Sequence, residues 1–206
     1  MRLPVRLFLA SASPRRLALL RDAGLDPVTC PTGVPEAALP GESASDHVLR
    51  LAREKGRHAL AGLAAQGADG LVLSADTAVV LDGTILGKPA DDEDAADMLR
   101  RLSGRAHDVL TGVFLARIGT PRSAEDVDRT RVTFKPYGDR ELLRYVATGE
   151  PRDKAGAYGI QGEGGALVLG IEGSWSNVVG LPMELLPRLY ASVGEAWPGA
   201  VRPYGK

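Results

Sequence analysis

Apolar positions run along this chain in short blocks and helical stripes that alternate irregularly. Residues 5–10 form an apolar block suited to a buried strand, which Ser11-Ala12-Ser13-Pro14 interrupts. A serine before proline suits a helix N-cap, and Leu17, Leu20 and Ala23 then recur at helical spacing until Gly24. Residues 28–35 read as a second strand entering a Pro/Gly-rich loop, and Ser45 as the cap of a long helix over 46–66. A buried strand is predicted over 71–74. Residues 79–86 predict a hairpin, because Asp82-Gly83 between apolar arms is the strongest short-range signal for a type I′ turn. Acids open and arginines close an amphipathic helix over 91–102, as the helix dipole favours. Strands over 109–118 and 126–134 follow, then helices over 139–147 and 181–193, the last kinked or broken at Pro187. This irregular alternation with a hairpin predicts an α/β fold with a mixed sheet, not a doubly wound parallel one.

Composition narrows the class. At 206 residues, 44% of them hydrophobic, the chain fits a single domain over 1–206 with room for two lobes around a cleft. A chain of this length buries about 70% of its unfolded surface and needs no covalent or metal staple. The one cysteine, Cys30, excludes an internal disulfide framework and the cysteine-rich zinc sites. A net charge of -1 argues against a nucleic-acid binder relying on a broad basic face. No apolar run approaches the ~18 residues of a membrane span. The first ten residues resemble a short leader, but Ser13-Pro14-Arg15-Arg16 follows where the apolar region should continue, so a cytoplasmic location is expected.

Candidate chemistry is scattered. Ser11, Ser13, Arg15 and Arg16 cluster at a strand-to-helix turn, where unpaired N–H groups and guanidiniums suit a phosphate; a capped helix with solvated arginines is the plainer alternative. On the long helix, Val48, Leu51, Ala52, Ala59 and Leu63 share one face, and Lys55 projects near its middle. Only five of the 25 basic residues are lysines (55, 88, 135, 154 and 206), so Lys55 suggests a point-charge requirement. It either reaches an acidic partner or snorkels to the rim. Asp76 follows an apolar strand and suits a hard divalent ion or proton acceptance from water, or is a turn residue; Glu36 is a second acid with a weaker case. Gly87-Lys88-Pro89 fails as a phosphate loop, since proline stands where Ser/Thr should hold magnesium, although Lys88 can still clamp phosphate. The glycine-dense segment 156–165 lacks dinucleotide-binding spacing, and its Gln161 carries both donor and acceptor for a base edge. The three histidines, His47, His58 and His107, form no metal motif. Together these parts suggest a metal-assisted reaction on a polyphosphate.

Six segments in order resemble the Maf-like nucleoside triphosphate pyrophosphatases, also described as septum-formation inhibitors. They are Leu9-Ala10-Ser11-Ala12-Ser13-Pro14-Arg15-Arg16, Pro35-Glu36, Ala52-Arg53-Glu54-Lys55, the stretch from Ser74-Ala75-Asp76-Thr77 to Leu86-Gly87-Lys88-Pro89, Ala157-Tyr158-Gly159-Ile160-Gln161-Gly162, and Asn177-Val178-Val179-Gly180-Leu181-Pro182. The resemblance implies a mixed twisted sheet flanked by helices around a deep cleft, similar to the inosine triphosphate pyrophosphatases. It implies hydrolysis of a nucleoside triphosphate to monophosphate and pyrophosphate, with Asp76 activating water for attack on the α-phosphorus. It also implies a divalent cation, Mg²⁺ or Mn²⁺, at Glu36 and Asp76, with Arg16, Lys55, Lys88 and the turn at Ser11 and Ser13 holding the triphosphate. Arg15, Thr77 and Gln161 match positions linked to selectivity and resemble the branch acting on dTTP and UTP. The segment Thr32-Gly33-Val34-Pro35 departs from the usual acidic context of the glutamate, and Lys154 is an extra phosphate contact in prospect. A homodimer is implied. The alternative is a nucleotide-binding regulator of cell division with little hydrolysis.

Overall fold

The computed structural model describes residues 5–200; the first four residues of the leader-like start and Lys206 lie outside them. Seven strands form one sheet: β1 (Leu7–Leu9), β2 (Val28–Thr29), β3 (Leu71–Leu81), β4 (Thr84–Leu86), β5 (Ala106–Arg117), β6 (Ser123–Phe134) and β7 (Val168–Glu172). The order is β2-β1-β3-β5-β6-β7, with β4 also pairing β3. β1 runs parallel to β2 and β3, while every other pairing is antiparallel, so the sheet is mixed as the pattern predicts. Six helices flank it: α1 (Pro14–Asp22), α2 (Ala44–Ala65), α3 (Asp92–Leu102), α4 (Asp139–Val146), α5 (Trp175–Val179) and α6 (Leu186–Ser192).

Several boundaries differ from the sequence reading for local reasons. The second strand shrinks from 28–35 to two residues, because only Val28 and Thr29 find register partners on β1. Ser43, not Ser45, caps α2: its hydroxyl oxygen accepts from the Asp46 N–H at 3.1 Å. Pro187 opens α6 instead of breaking a longer helix, since proline fits the first turn and a 3₁₀ turn at Met183–Leu185 precedes it. The hairpin is as expected: Asp82 and Gly83 both adopt positive φ, at 50° and 78°.

Two large packed clusters lie on one face of the sheet. Leu71, Leu73 and Ala75 of β3 pack with Leu19 and Leu20 of α1 and Leu189 of α6. Farther along the same face, Val79 and Leu81 pack with Ala95 and Leu99 of α3 and Leu142 of α4. On the opposite face lies α2, with Ala59 against Val72 and Val48 against Ala78.

His107 sits in the second cluster, edge-on to Phe134 and Tyr158, with Nε2 2.8 Å from the Tyr158 hydroxyl. Burial, outweighing the pull of Asp108, pushes its pKa down to about 4. The unfolded chain therefore takes up a proton near pH 6.5 that the folded chain refuses until about pH 4. Stability from this residue is whole above the unfolded pKa and is lost as pH falls through that window, by on the order of 3 kcal/mol. Urea midpoints taken from pH 7 to 4.5 are expected to fall less steeply in His107→Gln than in the wild type.

Candidate active site

On one edge β3 pairs continuously with β5 from Leu71 to Val80. On its other edge β1 covers only 71–73 and β4 only 79–81. The sheet is thus open beside residues 74–78, and side chains from both faces of β3 reach that opening. A cavity of about 550 Å³ lies there, lined by Ser11, Ser13, Arg15, Arg16, Glu36, Lys55, Asp76, Thr77, Lys88 and Gln161, and also by Lys154. Asp76 is not at a strand exit, as the sequence suggests, but in mid-strand; the pairing with β5 carries the strand past the polar stretch 74–77.

The α2 face supplies an acid–base cluster. Lys55 is buried, at 7% exposure, and its Nζ donates to Glu36 Oε1 at 2.5 Å and Asp76 Oδ1 at 2.6 Å. The lysine therefore reaches acidic partners instead of snorkelling. Ser74 ties β3 to the same helix by donating to the Ala52 carbonyl at 2.6 Å. Lys88, after the hairpin, donates to Glu36 Oε2 at 3.3 Å. Burial opposes ionisation of Glu36, but its hydrogen bonds and charge attraction to Lys55 and Lys88 outweigh that and hold the carboxyl below its usual value.

The α1 face supplies guanidiniums. Ser13 caps α1, its hydroxyl oxygen accepting from the Arg16 N–H at 3.4 Å. Ser11 Oγ accepts from the Ser13 N–H at 3.1 Å and from Arg16 Nη1 at 3.2 Å. Arg16 Nε donates to the Gly180 carbonyl at 2.7 Å and Nη2 to Thr77 Oγ1 at 3.1 Å. Burial lowers the Arg16 pKa against the opposing attraction of Asp76. Arg15 donates to Asp153 Oδ2 at 3.2 Å, and Lys154 Nζ donates to Asp153 Oδ1 at 2.7 Å. Gln161 lies exposed at the edge of the cavity.

Asp153 and the hydroxyl of Thr111 are absent from the sequence reading. Asp153 stands in a short 3₁₀ turn that has no periodicity to read, and Thr111 is one polar residue in an otherwise apolar strand. Five lining cations (Arg15, Arg16, Lys55, Lys88, Lys154) face three lining acids (Glu36, Asp76, Asp153), which favours a polyanionic ligand. Among the described residues no cluster of three or more His, Cys, Asp or Glu side chains is placed to hold a metal.

A mixed α/β sheet with a cationic cavity built around a lysine-bridged pair of carboxylates defines a class of phosphate-handling site. The comparison with known proteins is specific: residues 6–193 match the Maf-like protein family, and the chain belongs to it. A dTTP/UTP pyrophosphatase of Anaeromyxobacter sp. (strain Fw109-5) is 53% identical over 196 residues, covering 94% of this chain and 92% of the relative. The dTTP/UTP pyrophosphatase of Bordetella parapertussis is 49% identical over 200 residues, covering 95% and 96%. That of Escherichia coli O157:H7 is 50% identical over 177 residues, covering 86% and 87%.

Proposed function

We propose that this protein hydrolyses dTTP and UTP to the monophosphate and pyrophosphate. The observation that carries the reading is the Lys55 ammonium bridging Asp76 and Glu36 on the wall of a cavity rich in cations. Similarity over almost the whole chain to three dTTP/UTP pyrophosphatases supports the choice of substrate.

In this reading Asp76 takes a proton from a water molecule whose oxygen attacks the α-phosphorus. The bond from that phosphorus to the bridging oxygen breaks and pyrophosphate departs. Arg16, Lys55 and Lys88 bind the phosphates and spread their charge, while Ser11 and Ser13 shape the turn that holds Arg16. Arg15, Thr77 and Gln161 determine which nucleotide fits. Glu36 and Asp76, the two carboxylates that meet at Lys55, are too few to enclose a cation alone, but they suit Mg²⁺ or Mn²⁺, which one or two carboxylates hold together with substrate phosphates. Such an ion at Glu36 and Asp76 would supply charge neutralisation to the phosphates. The cavity beside the open edge of β3 supports one domain with two lobes around a deep cleft, of the inosine triphosphate pyrophosphatase kind. A cytoplasmic homodimer belongs to the same proposal; among the described residues no helix is long and apolar enough to cross a membrane.

The test is a panel of nucleoside triphosphates with Mg²⁺ or Mn²⁺, its products separated chromatographically. Monophosphate and pyrophosphate from dTTP and UTP, with little from GTP, are expected. Diphosphate and orthophosphate would place attack at the γ-phosphorus and overturn the reaction. Binding of dTTP without any turnover would favour the nucleotide-binding regulator.

A further inference from the structure

Behind the cavity wall, Thr111 of β5 is fully buried and sits directly across from Thr77 in the β3–β5 register. Its Oγ1 lies 2.9 Å from Thr77 Oγ1 and 3.1 Å from the Asn177 carbonyl oxygen. Thr77 Oγ1 is also 3.1 Å from Arg16 Nη2. Each threonine hydroxyl has one proton to give. The guanidinium can only donate and the carbonyl can only accept. One arrangement alone makes all three contacts hydrogen bonds: Arg16 donates to Thr77, Thr77 to Thr111, and Thr111 to Asn177. If Thr111 donated to Thr77 instead, its contact with the Asn177 carbonyl would go unmade.

We infer that Thr111 is a positioning residue, which fixes the polarity of a one-way hydroxyl relay and thereby holds Arg16 in its phosphate-binding pose. The inference rests on the proposed pyrophosphatase reading. With its proton committed to Thr111, the Thr77 hydroxyl is oriented so that its oxygen, not its proton, faces Arg16. Arg16 is held at three points: Nε on Gly180, Nη1 on Ser11 and Nη2 on Thr77. Each terminal nitrogen keeps one further N–H to offer to phosphate oxygens. A guanidinium fixed in this way before the ligand arrives loses little freedom on binding. Thr111 itself is outside the cavity lining and acts only through Thr77 and Arg16.

Steady-state kinetics with dTTP on the wild type, Thr111→Val and Thr111→Ser test this. Valine copies the shape of threonine without the hydroxyl, and serine keeps the hydroxyl. The loss of one buried hydrogen bond predicts a KM raised about three- to tenfold in Thr111→Val, with Thr111→Ser near the wild type. The effect lies in ground-state binding, so kcat should change less than about twofold. Inhibition by inorganic pyrophosphate is expected to weaken in parallel. An unchanged KM in Thr111→Val, or an equal loss in both variants, overturns the relay. If Thr111→Val fails to fold, Thr111→Cys replaces it, its weaker donor giving the same direction of change. If the wild type cleaves no nucleotide, the proposed function fails. Calorimetric titration of the same proteins with pyrophosphate then still decides: weaker binding in valine but not serine supports the relay, and equal binding overturns it.

Discussion

Asp76→Asn is expected to cut pyrophosphate release from dTTP by about 10²–10⁴-fold, the range over which general-base catalysis contributes. The substitution is nearly isosteric. Asparagine retains an oxygen that can accept from Lys55, which also keeps Glu36 as a charged partner. What is lost is the negative charge that makes the side chain a proton acceptor. The fold should survive, because the backbone of residue 76 stays within the β3–β5 ladder opposite Gly112. Product release measured beside a thermal melt separates the two effects. Near-wild-type turnover in a folded variant would remove Asp76 from the role of base.

Gly112→Ala is expected to have a large structural effect, because the added methyl group meets main-chain atoms. Gly112 lies opposite Asp76, and the backbone of α2 passes directly over it. A Cβ there would sit 2.4 Å from the Val48 carbonyl oxygen and 2.7 Å from the Leu49 nitrogen. Both are main-chain atoms of a helix and cannot rotate aside, so α2 must move away from the sheet. We expect a loss of about 3 kcal/mol, the upper part of the usual overpacking range. For a chain of this size that corresponds to a melting temperature lower by roughly 10 °C. Activity should fall as well, because the displaced helix carries Lys55 away from Asp76. Gly62→Ala is the control: it lies on α2 with nothing within 4 Å of its added Cβ. That change should stabilise by up to about 1 kcal/mol, as alanine replaces glycine in a helix. Destabilisation by both variants alike would show that α2 tolerates no added methyl and would remove the close-approach argument.

The chemistry of the site was legible to the degree that single residues broke a local pattern. Lys55 stood out because a lysine on an apolar helical stripe must either find a partner or reach water, and here it finds two. The capped turn at Ser13-Pro14 and the positive-φ hairpin at Asp82-Gly83 follow from local backbone preferences, which operate wherever the chain goes. Local signals failed where pairing decided the outcome. The polar run Ser74–Thr77 looks like a strand end, yet continuous pairing with β5 carries it through the core. β7 at the sheet edge, with Leu169 exposed, shows no clean alternation, and the five residues of α5 are too few for a helical period. Ser43 and Ser45 are equally good caps in isolation, and the Asp46 N–H goes to Ser43.

By itself the sequence determined the mixed α/β class, the capped start of α1, the hairpin turn and most of the polar residues that line the cavity. Tertiary structure alone decided that these residues meet. Glu36 and Lys55 are 19 positions apart, Lys55 and Asp76 are 21, and Arg16 and Thr77 are 61. Their contacts depend on β1 and β4 leaving one edge of β3 open, and on a glycine at position 112 letting α2 approach the sheet. The direction of the proton in the Thr77–Thr111 pair is likewise fixed only by Arg16 on α1 and Asn177 on α5, since a hydroxyl takes its role from the groups packed around it.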